Sequence, residues 1–191
     1  MGKLKGTETE KNLLAAFAGE SQARNRYTYF ASVAKKEGYE QISAIFQETA
    51  DNEKEHAKRF FKLLEGGEVE IQASYPAGVI GNTAQNLEAS ADGEHMEWGT
   101  LYKDAAETAR KEGFEKVALQ FDEIAKVEMH HEARYRKLLD NVKNGSVFKK
   151  DQKVTWHCRN CGFVLEGTEA PMKCPACEHP QAFFQVKAEN Y

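Results

Sequence analysis

The sequence predicts an all-α four-helix bundle with one long crossover, followed by a small domain built on four cysteines. Three observations carry that reading. A Glu-x-x-His motif occurs twice at the same phase of a helical pattern, as Glu53-Lys54-Glu55-His56 and Glu128-Met129-His130-His131. Residues 36–65 match residues 111–140 at 13 of 30 positions, including Lys-Glu-Gly and Arg-x-x-Lys-Leu-Leu, which marks the duplication of a helix pair. All four cysteines fall between positions 158 and 177, behind the helical part, in two Cys-x-x-Cys pairs.

The first helix is expected from Thr9 to Lys36, where Leu13, Phe17, Glu20, Tyr27, Ala31 and Ala34 recur on one stripe before Gly38 ends it. The second runs from Tyr39 to Glu65 and stops at Gly66-Gly67. Residues 66–82 lack a helical period and are too long for a tight turn, so they suit a crossover along the bundle. The third helix is expected from Asn82 to Lys111 and the fourth from Phe114 to Asn141, broken at Gly113 as the first pair is at Gly38. A polar, basic linker, Asn141 to Lys153, leads to the cysteines. The expected domains are therefore 1–146 and 147–191.

A chain of 191 residues with 41% hydrophobic residues can bury a real core. Its net charge of -4 offers no basic field for nucleic acid, and no apolar run is long enough to cross a bilayer. The opening residues, Met1 to Gly6, lack the apolar core of a signal peptide, so a cytoplasmic protein is expected. In a reducing compartment, paired Cys-x-x-Cys motifs read as metal ligands rather than disulfides.

Positions i and i+3 share a helix face, so each Glu-x-x-His points a carboxylate and an imidazole together. Both lie on apolar stripes, Ile42, Phe46, Phe60 in one copy and Val117, Phe121, Ile124 in the other. Buried unpaired carboxylates are expensive, and a Glu/His mixture suits a hard metal such as iron or manganese. At an offset of 74, Gly19-Glu20 matches Gly93-Glu94, so two helices each give a Glu and two each give a Glu-x-x-His. That is the pattern of di-iron and di-manganese carboxylate bundles. Glu53 and Glu128 are the expected bridges. Glu97 has Ala23 as its counterpart at that offset and is either a seventh metal-facing group or a solvated helix glutamate. Tyr27 and Tyr102, 75 residues apart, either hydrogen-bond the ligating carboxylates or are ordinary core tyrosines. His95, His130, His157 and His179 fit no ligand spacing.

Cys158, Cys161, Cys174 and Cys177 have the spacing of a tetrahedral four-thiolate site, which either a structural zinc or a single redox iron fills. Cys-Gly after the first pair, Cys-Pro in the second, and the aromatic residues Trp156, Phe183 and Phe184 favour iron.

Over nearly its whole length the sequence resembles the rubrerythrin family, a ferritin-like bundle followed by a rubredoxin-like domain. The resemblance implies that Glu20, Glu53, Glu94, Glu97, Glu128 and His131 ligate a non-haem di-iron centre. It also implies that His56 replaces Glu97 on one iron in the reduced state, and that the four cysteines hold a rubredoxin-type iron. One departure is Glu178, where rubredoxins usually have glycine after the last cysteine. The implied activity is a peroxidase of oxidative-stress defence, reducing hydrogen peroxide to water with electrons relayed through the four-cysteine iron from NADH-linked partner proteins. A homodimer is implied as well. The competing reading is a ferroxidase or iron-handling protein; a four-cysteine electron inlet argues against it, since storage needs none.

Overall fold

The computed structural model describes residues 3–190. Met1, Gly2 and Tyr191, which fall within the expected domain spans, lie outside the described residues.

Helix α1, Glu8–Lys36, starts at Thr7, whose side chain accepts from the Glu10 N–H. Its free amides find a second acceptor far away in sequence. The Glu112 carboxylate accepts from the Glu8 N–H at 3.1 Å and the Thr9 N–H at 2.8 Å, fastening the helix start to the far helix pair. Helix α2, Glu40–Phe61, ends four residues before the expected Glu65. Leu63 and Leu64 donate instead to Phe60 and Phe61, an i+3 pattern that tightens the chain ahead of Gly66 and Gly67, both at positive φ.

The second pair departs from expectation in its first helix. Helix α3, Thr83–Met96, opens on a capping box formed by Asn82 and Gln85. The expected continuous helix to Lys111 is interrupted by a π-helical segment, Glu97–Leu101, and resumes as α4, Tyr102–Lys111. Helix α5, Glu115–Lys143, completes the bundle. The hairpin turns are copies of each other: Gly38 and Gly113 both have φ near +85°, and Tyr39 and Phe114 each donate to the carbonyl five residues back, at 2.8 Å. α1 packs on α2, and α5 packs on α3 and α4. Residues 65–82 cross between the pairs without helix or strand.

The four buried glutamates, Glu20, Glu53, Glu94 and Glu128, sit between two apolar clusters. One cluster includes Leu13, Phe60, Tyr102 and Phe121; the other includes Tyr27, Phe46, Leu87 and Tyr135. The polar layer is thus clamped from both ends by aromatic packing that fixes its rotamers.

The cysteine-bearing part is a three-stranded antiparallel sheet, order β2-β1-β3, with β1 Lys149–Cys158, β2 Val164–Glu169 and β3 Phe184–Val186. Because α5 runs to Lys143 and β1 opens at Lys149, most of the expected Asn141–Lys153 linker is regular structure. Trp156 is fully buried and donates Nε1–H to the Gly167 carbonyl at 3.0 Å. This domain sits against the α1–α2 turn, where Phe148 stacks on Tyr39 at 6.1 Å and a Cβ added at Gly38 would lie 3.7 Å from the Ala182 methyl.

Candidate metal centres

Two groups of side chains bring their ligand atoms within 4.8 Å of one another in the polar layer: Glu20, Glu53, His56 and Glu128, and Glu53, Glu94, Glu128 and His131. Glu53 and Glu128 belong to both. His56 Nδ1 lies 2.8 Å from Glu53, 2.9 Å from Glu128 and 3.7 Å from Glu20. His131 Nδ1 lies 2.8 Å from Glu128, 3.2 Å from Glu53 and 3.8 Å from Glu94. Six of the seven bundle residues singled out in the sequence are therefore brought together. Glu97, the first residue of the π segment, is in neither group and stands half-buried on the wall of a cavity.

Around the groups the two tyrosines are crossed between helix pairs. Tyr27 of α1 donates to Glu94 of α3, and Tyr102 of α4 donates to Glu20 of α1, both at 2.6 Å. Asn52, which the sequence pattern did not single out, lies 3.3 Å from His131 Nε2 through its Oδ1 and orients the imidazole from behind. Also unforeseen is a network on the outer face of the π segment. Trp98 donates to Glu132 at 2.6 Å, His95 lies 3.0 Å from the same oxygen, and Arg136 pairs with Glu132 and Asp92. Helical spacing links Glu132 to Arg136, but its link to Trp98 is tertiary.

The residues fit a pair of cations. Glu20 Oε2, Glu53 Oε1, Glu94 Oε2, both Glu128 oxygens and His131 Nδ1 are buried without a well-aligned hydrogen bond, although the imidazoles stand within 3.2 Å of Glu53 and Glu128, and all belong to the two groups. Native interiors rarely leave so many acceptors unsatisfied in one place. The electrostatics give the same answer. Burial, then the charge of Glu53, pushes Glu94 up to about 8, and burial with Glu53 and Glu128 raises Glu20 well above the carboxylate range. Glu97 is raised by burial and by Glu94. Burial disfavours charge on the histidines, yet Glu128 and Glu53 lift His56 to about 10 and His131 to about 12. Burial opposes ionisation of Glu53 too, but the two imidazoles hold it down at about 2. Without metal, the carboxylates favour the imidazolium form of both histidines, whose charge offsets part of theirs.

The thiol site is built on paired loops. Gly162, at φ 81°, donates to the Cys158 carbonyl, and Glu178, at φ 63°, donates to that of Cys174, both at 2.9 Å. Glu178 is the one non-glycine with positive φ among the described residues. Sulfur pairs lie 3.8 Å (Cys158–Cys177) and 3.7 Å (Cys161–Cys174) apart, too far for disulfides and close to the edge of a tetrahedron with metal–sulfur bonds of about 2.3 Å. The His179 backbone draws Cys177 down to about 6, whereas Cys161, despite a backbone hydrogen bond from Phe163, is raised to about 12 by its neighbours. Four adjacent thiols cannot all ionise without a cation to share them.

Comparison with known proteins agrees with this geometry. A family profile described as Rubrerythrin matches residues 11–139, and one described as Rubrerythrin, rubredoxin-like domain, matches residues 156–185. The chain is 61% identical over 188 residues to rubrerythrin of Porphyromonas gingivalis, covering 98% of this chain and 94% of that protein. It is 56% identical over 191 residues to rubrerythrin of Nitratidesulfovibrio vulgaris, covering 100% of both. Nigerythrin in a partially reduced state superposes with a TM-score of 0.63 at 29% identity, over 97% of this chain and 92% of that one. The bacterioferritin of Desulfovibrio desulfuricans, at 22% identity and a TM-score of 0.67 over 73% and 82% of the chains, shares the fold. With a ferritin-like bundle around a di-iron site and a rubredoxin-like domain around four cysteines, the chain belongs to the rubrerythrin family of iron-binding oxidoreductases.

Proposed function

We propose that this protein is a peroxidase of oxidative-stress defence that reduces hydrogen peroxide to water in the cytoplasm. In this reading Glu20, Glu53, His56, Glu94, Glu97, Glu128 and His131 hold the iron pair, with Glu53 and Glu128 shared. Cys158, Cys161, Cys174 and Cys177 hold a single iron that receives electrons from NADH-linked donor proteins. Residues 1–146 form the di-iron domain and 147–191 the electron inlet. When bound, the iron pair supplies together the two electrons that peroxide reduction requires.

The observation that carries the reading is the unequal placement of His56 and Glu97. His56 is inside a ligand group, while Glu97 stands outside it, beside a cavity. Either side chain would complete the site when iron is bound, Glu97 offering a hard anionic oxygen suited to ferric iron and His56 a neutral nitrogen suited to ferrous iron. Tyr102 Oη–H holds Glu20 and Tyr27 Oη–H holds Glu94 in place, whichever of the two side chains faces the site.

The inlet serves a second subunit. Phe148 touches Tyr39 at one end of α2, and His56 lies 17 residues further on, about 25 Å along the helix. A homodimer with the subunits head to tail brings one chain's thiolate iron to the other's carboxylate site. No helix among the described residues is long and apolar enough to cross a membrane.

The test is turnover. Iron-loaded protein with a steady reductant should consume many equivalents of hydrogen peroxide per chain. Consumption that stops after one equivalent per iron pair would leave the ferroxidase reading standing. Mixing Cys161→Ala chains with Glu53→Ala chains should restore turnover if the relay crosses between subunits.

A further inference from the structure

Beside Glu97 lies a cavity of roughly 600 Å³. Helices α1, α3, α4 and α5 and the π segment form its walls, and crossover residues 72–76 close over it. Hydrogen peroxide has one oxygen more than water, whose share of liquid volume is about 30 Å³. The space is thus far larger than that substrate requires, and it lies in the range of about 300–1,000 Å³ that buries small organic ligands. Ala15, Ala16, Pro76, Leu101 and Phe121 make much of the lining apolar.

Two glycines keep this space open. Gly19 and Gly93, counterparts in the duplication, each precede a site glutamate, and both line the cavity. A Cβ on Gly19 would meet nothing within 4 Å, so no close contact requires glycine there, although glycine is disfavoured in a helix interior. The cavity ends on reactive ground: its lining includes Glu97 and Tyr102, and Tyr102 is bonded to Glu20. Arg26 also lines it, bringing a guanidinium donor to the wall for an oxygen-bearing ligand.

We infer that this cavity admits organic hydroperoxides, their alkyl or aryl body against Ala15, Ala16 and Leu101 and their hydroperoxyl group at Glu97. The inference rests on the peroxidase reading above. ROOH takes two electrons and two protons: the O–O bond breaks, the carbon-bound oxygen leaves protonated as the alcohol, and the distal oxygen leaves as water. The electrons come from the same one-electron donor proteins that serve hydrogen peroxide.

The test uses the iron-loaded protein with one reductant and two oxidants, cumene hydroperoxide and hydrogen peroxide. Calorimetry with unreactive 2-phenyl-2-propanol measures binding separately from turnover. Saturable binding of the alcohol and steady reduction of both oxidants are expected. Gly19→Leu, or Ala15→Phe on the same wall, should abolish alcohol binding and lower kcat/KM for cumene hydroperoxide about tenfold more than for hydrogen peroxide. Unchanged melting temperatures establish that the variants are folded. Turnover of hydrogen peroxide without turnover of cumene hydroperoxide or binding of the alcohol overturns this inference and leaves the peroxidase reading intact. Failure to turn over either oxidant overturns both. Equal effects of Gly19→Leu on the two oxidants also overturn the cavity assignment.

Discussion

On α1, Glu20 and Tyr27 are seven positions apart within one unbroken α-helix; on the second pair, Glu94 and Tyr102 are eight apart, and the π segment holds the extra residue. In the first pair, the position matching Glu97 is Ala23, which is 2% exposed and packs in the core. In the second, the widened turn sets a carboxylate beside a cavity while Tyr102 still reaches its place opposite Tyr27. A one-residue insertion therefore makes a symmetric scaffold chemically unequal, without disturbing Glu94 before it or Tyr102 after it.

The strongest way to break the comparison is to remove what both halves share. Glu53→Ala strips a ligand from both groups, so iron should fall from about three per chain to about one, the remaining ion on the cysteines. Retention of bundle iron, read by metal analysis, would show that the two groups are not one site. Deleting Gly99 next restores seven-residue spacing and makes the second pair copy the first. Helix content should persist by circular dichroism, while peroxide turnover drops about a hundredfold because Glu97 loses its placement. Full turnover in that variant would make the π segment irrelevant.

Metal removal tests the charge balance across both halves. Glu20, Glu94 (about 8) and Glu97 are raised from 4.5, so in metal-free protein their ionisation works increasingly against the fold as pH rises from 4.5 through 8. His56 (about 10) and His131 (about 12) are raised from 6.5, so their contribution is complete below 6.5 and is lost as pH climbs through those values. Glu53 is lowered from 4.5 to about 2, so its contribution is present above 4.5 and is lost as pH falls through 2. Metal-free protein should accordingly melt highest near pH 4.5 and progressively lower up to about pH 8.5, with a flatter profile once iron is bound. Parallel profiles would contradict the assignment. Smaller still, Tyr27→Phe and Tyr102→Phe should each lower metal-free stability in urea by about 1 kcal/mol, equally within error. A clear inequality would place the asymmetry beyond Glu97.

Much of this was legible in the residues. Helical stripes and duplicated motifs located the helices and six of the grouped ligands, because burial periodicity and metal chemistry both act at short, regular spacings. The π segment had also left its mark, since the duplication offset changes from 74 at Glu20 to 75 at Tyr27, though neither number alone announces a widened turn. Whether His56 or Glu97 enters the ligand group was not legible, because the two residues sit on different helices and their placement is set by tertiary packing. Glu112 at the start of α1, Trp98 on Glu132 and the crossover over the cavity depend on contacts between distant segments that no local pattern encodes.

The crossed tyrosine bonds bear on what the covalent chain is for. Each helix pair supplies the phenol that holds the other pair's glutamate, so neither pair completes its own half of the site. The exposed crossover segment 66–71, ahead of the residues that cover the cavity, then contributes little beyond effective concentration. A single proteolytic cut within residues 66–71 should give two fragments that co-elute and keep their iron, whereas separation of the fragments would show that the connection itself holds the pairs together. The bundle is in this sense a dimer of helix pairs that happens to be one polypeptide.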